Sequence, residues 1–406
     1  MGGPPRSHGS LPPEGAQSVP RGGPSGLTER YFAPCPRGLE ALLAGELAGL
    51  SAADVEATDG GVAFAGDLAL AMRANLESRF ASRVLWRVGG GACRDERALY
   101  DLARSVDWKR LFLPTRTLRV DVSATRSPLQ SLEFATLRVK DAVCDRMRAD
   151  TSVRPSIDKR APDVRVQAYL TDRDATLYVD TSGEPLFKRG YRRDTDEAPL
   201  RENLAAGIVA LTGWTPGTAL LDPMCGSGTL VAEAAMMAAD RAPGLARTFG
   251  FQKLSWFEGP PWQRMKQAAR DRVRAAPASP LVFASDIAPG AVAKTQSNLR
   301  AAQVDAFVQV TQADFLTRAA PADGGILVTN PPYGVRLSDQ EAVAKLYPLI
   351  GDALKQRYAG WTAYFFTGDL RLPKLIHLKV TRRTPLMNGA IDCRLFAFPM
   401  VSGRHE

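Results

Sequence analysis

Leu221-Asp222-Pro223-Met224-Cys225-Gly226-Ser227-Gly228-Thr229 decides how the second half of this chain is read. The apolar residues 219–221 predict a short buried strand that ends on a carboxylate. Gly226 and Gly228 form a Gly-x-Gly turn, in which the missing side chains let the backbone approach a ligand. Helical sequence follows at 229–239, so that ligand would meet a helix N-terminus. No third glycine comes three residues on, which separates the stretch from the dinucleotide fingerprint. An acid placed before the glycines suits a ligand that offers an amino-acid or hydroxyl group there, as S-adenosylmethionine does. Cys225 reads as a small turn residue, because no base stands near to activate it.

Outward from this turn, 200–211 reads as a helix, and 281–284 and 325–329 as buried strands, each followed by helical sequence. Strands alternating with helices predict a parallel, doubly wound sheet. Its last strands are expected at 361–367 and 392–398, with Asn388-Gly389 a turn between irregular segments. Asp286 closes the strand 282–286, at the sheet edge where a ribose diol would be held. Asp314 follows the strand 308–310; it could accept from an adenine amine or equally cap a helix. The insertion between Asp222 and Asp286 carries Phe249, Phe251, Trp256, Phe257 and Trp262, which read as packing rather than as a cover for the ligand.

Thr329-Asn330-Pro331-Pro332-Tyr333-Gly334 sets the chemistry. Two prolines fix the chain just past a strand, so the Asn330 side-chain oxygen and the Pro331 carbonyl can converge on one planar amine and accept both its protons. As such a nitrogen loses conjugation and attacks a methyl group, those contacts strengthen, which stabilises the transition state selectively. Tyr333 offers a ring on which an extruded base can stack.

Composition narrows the alternatives. Of three histidines among 406 residues, His8 and His405 sit in the terminal tails, leaving His377 in the apolar stretch Leu375-Ile376-His377-Leu378, where it reads as a strand residue. A multi-histidine metal centre is out of reach, and an imidazole-based nucleophile pair would need that one residue. Five cysteines (Cys35, Cys93, Cys144, Cys225, Cys393) form no CxxC pair, so neither a zinc site nor a disulfide framework is indicated, and a reducing cytoplasm fits. No apolar run approaches the roughly 18 residues of a membrane span. The +9 net charge permits a nucleic-acid partner without proving one.

Upstream, 1–27 holds 13 Gly and Pro residues, a composition expected to stay disordered. From Thr28 onward short strands alternate with helices. Leu39, Leu43 and Leu47 recur at helical spacing, Asp59-Gly60-Gly61 marks a hairpin, and 164–170 with 176–179 marks another. The whole reads as a compact α+β region of two small subdomains. Its stretch 73–119 carries eleven basic residues against five acids, either a solvated face or a phosphate-tracking one. Lys188-Arg189-Gly190-Tyr191-Arg192-Arg193 adds four cations at the join, a second candidate RNA face. The expected division is a tail 1–27, an RNA-binding region 28–187 and a catalytic domain 188–401.

Taken together, Arg37-Gly38-Leu39-Glu40, Val139-Lys140-Asp141-Ala142, 161–166, Arg189-Gly190-Tyr191-Arg192, Gly213-Trp214-Thr215-Pro216-Gly217, 221–229, Arg241-Ala242-Pro243-Gly244-Leu245 and 330–334 resemble the large-subunit (23S) rRNA guanine-N2 methyltransferases of the RlmL type. The resemblance covers about residues 30–400. It implies a ferredoxin-like plus THUMP RNA-binding region before a class I, Rossmann-like α/β domain of seven strands with the final one antiparallel. It implies S-adenosyl-L-methionine as cofactor, no metal, and 23S rRNA or a large-subunit assembly intermediate as partner, with the family's guanine 2445 as target. Carried over by motif, Asp222, Gly226 and Gly228 would hold the methionine part, Asp286 the ribose and Asp314 the adenine, with Pro223, Cys225 and Thr229 also counted among the cofactor-binding residues. Asn330, Pro331, Pro332 and Tyr333 would hold the guanine, while Pro199 and Glu202 lie in the segment that closes over the cofactor. Some members continue into a second methyltransferase domain; this chain, ending at Glu406, is expected to have one activity, in the cytoplasm, with a monomer plausible and the oligomeric state left open by the sequence. The rival readings are the same chemistry on a tRNA guanine or a DNA adenine, and a non-catalytic RNA-binding assembly factor.

Overall fold

A computed structural model describes residues 28–192, 200–331 and 337–401. The tail 1–27, Arg193, Pro199, Pro332 and Tyr333 lie outside the described residues. The chain divides into two compact units: one holds the N-terminal residues to Leu186 together with Gly244–Ala268, the other Phe187–Pro243 and the remainder.

The first unit begins β1 (Glu29–Pro34), α1 (Glu40–Gly49), β2 (Ala53–Thr58), β3 (Gly61–Gly66), α2 (Leu68–Glu77) and β4 (Leu85–Ala92). It continues with α3 (Glu96–Ser105), α4 (Trp108–Leu111), β5 (Leu118–Ala124), α5 (Leu132–Thr151), β6 (Val164–Leu170) and β7 (Asp174–Asp180). Helix starts follow local chemistry: the Asp67, Asp95 and Ser131 side chains accept from Leu70, Ala98 and Phe134 N–H at 2.7, 2.7 and 3.1 Å. All seven strands form one sheet, ordered β2-β3-β1-β4-β7-β6-β5. β4 pairs with β1 on one side and β7 on the other, so the two expected subdomains share a continuous sheet.

The second unit contains α6 (Glu202–Leu211), β8 (Leu220–Asp222) and α7 (Thr229–Ala238). After α8 (Gly259–Asp271), whose residues up to Ala268 belong to the first unit, the second unit continues with β9 (Val282–Asp286), α9 (Pro289–Ala302), β10 (Val308–Gln312) and β11 (Gly325–Thr329). It closes with α10 (Leu337–Arg357), β12 (Trp361–Thr367), α11 (Leu372–Leu375), β13 (Arg382–Asn388) and β14 (Ile391–Pro399). The sheet runs β10-β9-β8-β11-β12-β14-β13. β10, β9, β8, β11 and β12 are parallel, and β14 is antiparallel to both its neighbours. Strand order reverses at β8, and such a reversal opens a crevice at the carboxyl ends of the strands. Val343, Tyr347, Ile350, Leu354 and Tyr358 recur at helical spacing on and just beyond α10 and join Leu327, Trp361, Phe365, Phe396 and Phe398 in the core. Each large side chain buried there contributes about 2–3 kcal/mol.

Two sequence expectations fail near the C-terminus. Asn388-Gly389 is the turn of a paired hairpin rather than a link between irregular segments, because 382–388 forms the edge strand β13. Its polar and proline-containing sequence, RRTPLMN, hides it: an edge strand with an exposed face has no apolar alternation to read. His377 is not in a strand; it follows α11 in an exposed left-handed conformation with φ +53°.

The aromatic insertion packs, and it does so in the first unit. Phe251 N–H donates to Thr181 O at 2.8 Å, Gly244 N–H to Leu76 O at 2.9 Å, and Ser255 N–H to Leu111 O at 2.9 Å. Phe251 stacks on Phe249 at 5.3 Å and meets Trp262 edge-on at 5.1 Å, while Trp256 meets Trp86 edge-on at 6.4 Å. Gly250 is required there, since a Cβ would come within 2.9 Å of Asp180 O.

Candidate active site

β8 delivers Asp222 to the carboxyl edge of the sheet, and the neighbouring strands deliver its companions. Asp222 pairs with Ala284 on β9, which places Asp286 two residues further along. Gln312 on β10 pairs with Asp286, so Asp314 lies two residues beyond that. On the other side Leu221 pairs with Leu327, so Thr329 and Asn330 emerge beside Asp222. Four side chains picked out over 109 sequence positions therefore stand along one edge, about 5 Å apart per strand.

Asp222 is buried, and Met224 N–H donates to its Oδ1 at 3.2 Å. Burial pushes its carboxyl up to about 7, with Thr329 and the Met224 N–H opposing and Asp286 reinforcing. Among the described residues no Lys or Arg pairs with it. Asp286 is tied to the turn: Gly226 N–H donates to its Oδ2 and Ala288 N–H to its Oδ1, each at 3.0 Å. Asp314 Oδ1 accepts from Leu316 N–H at 2.9 Å; one of its oxygens thus caps a turn, and no helix begins there for it to cap.

The two glycines differ in kind. Gly226 has φ +55° and open space where a Cβ would stand; Gly228 has φ +76°, and a Cβ there would lie 2.6 Å from Thr295 Cγ2. α9 supplies the clamp that sequence reasoning missed. Thr295 Oγ1 donates to Gly226 O and Asn298 Nδ2 to Ser227 O, both at 2.9 Å. Both are buried polar side chains three apart on one helix face; the sequence offers only their i, i+3 spacing, and their burial comes from the fold. Cys225 is buried against Thr295 Oγ1 at 3.4 Å, and burial pushes its thiol up to about 12, which leaves it inert.

Thr229 is held from behind. Arg192 Nη2 donates to Thr229 Oγ1 at 2.6 Å and to Leu200 O at 3.0 Å, and Arg192 Nε lies 3.8 Å from Glu202 Oε1. Burial raises the Glu202 carboxyl, and the Arg192 guanidinium opposes that rise. Arg189 lies 3.5 Å from Glu233 of α7, and Tyr191 OH donates to the same Glu233 Oε1 at 3.2 Å. The join at 188–193 is thus no phosphate-tracking face at Arg189 and Arg192: both point inward to acids, and only the tertiary fold reveals those partners. Glu202, expected among the cofactor residues, reaches the Gly-x-Gly turn through Arg192.

Asn330 completes the edge. Its Oδ1 is buried with no hydrogen-bond partner among the described residues, and Pro331 is buried beside it. A buried acceptor without a donor costs about 1–3 kcal/mol, which a ligand N–H would recover.

In the first unit the 73–119 run is also mixed. Arg83 forms an ion pair with buried Asp180 and donates to Gly183 O at 2.6 Å, so it belongs to the interior. Lys109, Arg110, Arg116 and Arg119 stand near Asp150, Asp107, Asp163 and Asp121. Arg94 and Arg104 are exposed. All five cysteines are buried and free. Among the described residues no acid, His or Cys cluster could hold a metal, and no helix is long and apolar enough to cross a membrane.

Comparison with known proteins agrees with this geometry. Residues 189–397 match the RMKL-like methyltransferase domain, 30–85 the RlmL ferredoxin-like domain and 93–180 the THUMP domain. The chain is 40% identical over 385 residues to ribosomal RNA large subunit methyltransferase K/L of Syntrophotalea carbinolica, covering 92% of this chain and 54% of that one. It thus spans about half the length of the curated K/L relatives it matches. It is 36% identical to slr0064 of Synechocystis, a protein provisionally named an RNA methyltransferase, covering 93% of this chain and 98% of that one. Among solved structures, SMU.472, provisionally named a methyltransferase and complexed with SAH, superimposes with a TM-score of 0.82 at 28% identity, covering 93% of this chain and 99% of that one.

Proposed function

The chain belongs to the RMKL-like methyltransferase family, and from that premise we propose that it methylates the exocyclic N2 of a guanine in 23S rRNA, the family's guanine 2445, in the cytoplasm. The observation that carries the amine assignment is the buried Asn330 Oδ1, which has no donor among the described residues, at the strand edge next to Asp222. An acceptor so placed favours an N–H-bearing group and disfavours a carboxylate or phosphate.

S-adenosylmethionine is the cofactor, and when bound it supplies an electrophilic methyl group on sulfur. The residues present fit it. Asp222 is a buried acid with no counter-cation among the described residues, which suits an ammonium, and Gly226 leaves open space at the turn. Asp222 binds the amino group, Asp286 the ribose hydroxyls with its remaining lone pairs, and Asp314 the adenine amine. Pro223, Cys225 and Thr229 shape the turn around Gly226 and Gly228. Asn330 Oδ1 and the Pro331 carbonyl accept the two protons of the guanine amine and hold its nitrogen in line for attack. Those two contacts tighten as the nitrogen becomes positive, so they lower the barrier without a matched general base. Tyr333 stacks on the base, Pro332 stiffens its approach, and Pro199 belongs to the segment that closes over the site. The ferredoxin-like and THUMP unit grips RNA by shape and phosphates.

The test is to map methylated guanines in rRNA and tRNA from cells lacking the protein. Loss of one N2-methylguanine in 23S rRNA is expected, restored by the parent gene and not by Asn330→Ala. An unchanged rRNA map with a methylguanine lost from tRNA would move the substrate to tRNA. No change in either, with intact RNA binding, would leave the assembly-factor reading.

A further inference from the structure

Between Asp369 and Asp392 the chain contains no acid and five fixed cations: Arg371, Lys374, Lys379, Arg382 and Arg383. This stretch is a strap across one face of the second unit. Its apolar residues point inward: Leu372 and Ile376 are buried in the core beside Tyr347 and Ile350 of α10, and Leu375, Leu378 and Val380 pack against that cluster. Its cations therefore stand on the outer side, and Lys374, Lys379 and Arg383 are exposed.

Two of the five are already committed. Arg371 pairs with Asp369 at 2.8 Å, and Arg382 donates to Leu211 O while lying over the Tyr364 ring at 5.6 Å. Lys374, Lys379 and Arg383 pair with no acid among the described residues. An ordinary solvated face interleaves both signs, because like charges held close repel one another. Here the uncompensated cations are carried by backbone anchored in the core through Leu372 and Ile376, so they can separate only by side-chain rotation.

The strap also starts at the reacting edge. β12 runs parallel to β11, so the chain leaving Thr367 emerges on the side where Asn330 emerges from Thr329. The far end returns to that level: Arg383 pairs with Phe396, Phe396 with Phe365, and Phe365 with Thr329. Directly paired residues share a sheet face, so Arg383 stands on the face of Phe396 and Phe365, the face that the strap covers. Three strand spacings separate Arg383 from Thr329, about 14 Å. One strand of stacked nucleotides covers that distance in about four residues.

We propose that Lys374, Lys379 and Arg383 form a phosphate track for the RNA strand flanking the target guanine, on the catalytic unit itself. This rests on the RNA methylation proposed above. The test uses the full chain, an in vitro transcript of 23S rRNA and a salt series. Neutralising three phosphate contacts lowers the slope of log affinity against log salt by about 2–3, and affinity at about 0.1 M salt falls on the order of 100-fold. The triple variant Lys374→Gln, Lys379→Gln, Arg383→Gln is expected to show both changes, and triple Glu substitution a larger loss. S-adenosylmethionine affinity and thermal melting should stay at parent values, which also shows that each variant is folded. Arg371→Gln, at an already neutralised cation, should leave the slope unchanged. A parent that methylates the transcript, with a triple variant of unchanged slope and affinity, overturns the track and leaves the methylation reading intact. A parent that neither binds nor methylates rRNA removes both.

Discussion

Asp222→Asn should make the unliganded protein more stable while destroying its ability to bind cofactor. Burial lifts the Asp222 carboxyl from 3.8 to about 7, so the folded chain keeps a proton that the unfolded chain releases near 3.8. For an acid raised in the folded state, stability is greatest below the unfolded value and is lost as pH rises through the folded one. Each tenfold difference in proton affinity is about 1.4 kcal/mol, so the ionised carboxylate costs about 4 kcal/mol above about pH 8. Asparagine imitates the protonated acid: its oxygen still accepts from Met224 N–H, and its amide can donate towards Thr329. In a unit of this size 1 kcal/mol moves Tm by about 2–4 °C, so the variant should melt about 10 °C above the parent at about pH 8.5 but only about 4 °C above it near pH 5, where the unfolded acid has ionised and the folded one has not. Calorimetric titration should show parent affinity for S-adenosylmethionine rising as pH passes about 7, where the carboxylate ionises, and no binding by the variant. Equal melting shifts at both pH values, or a variant less stable in alkali, would refute the assignment of an uncompensated buried charge to this site.

Other outcomes separate chemistry from architecture. Asn330→Ala should cut turnover by about 100- to 1000-fold with cofactor affinity nearly unchanged, as measured by methyl incorporation and calorimetry; retained turnover would remove its role at the amine. Gly228→Ala must strain a left-handed residue and push against Thr295, so a loss of about 2–4 kcal/mol in a denaturant melt is expected. Gly226→Ala meets open space and should cost only about 1–2 kcal/mol, yet weaken cofactor binding, because its methyl enters the ligand's space. Arg83→Ala should destabilise the first unit by about 3–5 kcal/mol, since it strands buried Asp180; a variant of parent stability with weakened RNA binding would return Arg83 to the RNA face.

What could be read from the chain alone is what neighbouring residues accomplish together. The strand–acid–glycine–helix order of 220–229 and the Asn-Pro-Pro run at 330–332 are each contiguous in sequence, so the expectation of a ligand site could be drawn from one dimension. The alternation of strands and helices was sufficient for the parallel sheet, because periodicity reports burial directly. Charge was not legible in the same way. Arg189, Arg192 and Arg83 look identical in sequence to solvated cations, yet their acids lie 44, 10 and 97 positions away. Whether a cation faces water or a carboxylate is decided by who arrives beside it, and only the tertiary structure brings those partners together. The same holds for Thr295 and Asn298, whose value lies entirely in the carbonyls of a turn 69 and 71 positions upstream. It holds too for the aromatic insertion, which leaves one unit in sequence and buries its rings in the other, where the apolar surface to receive them exists.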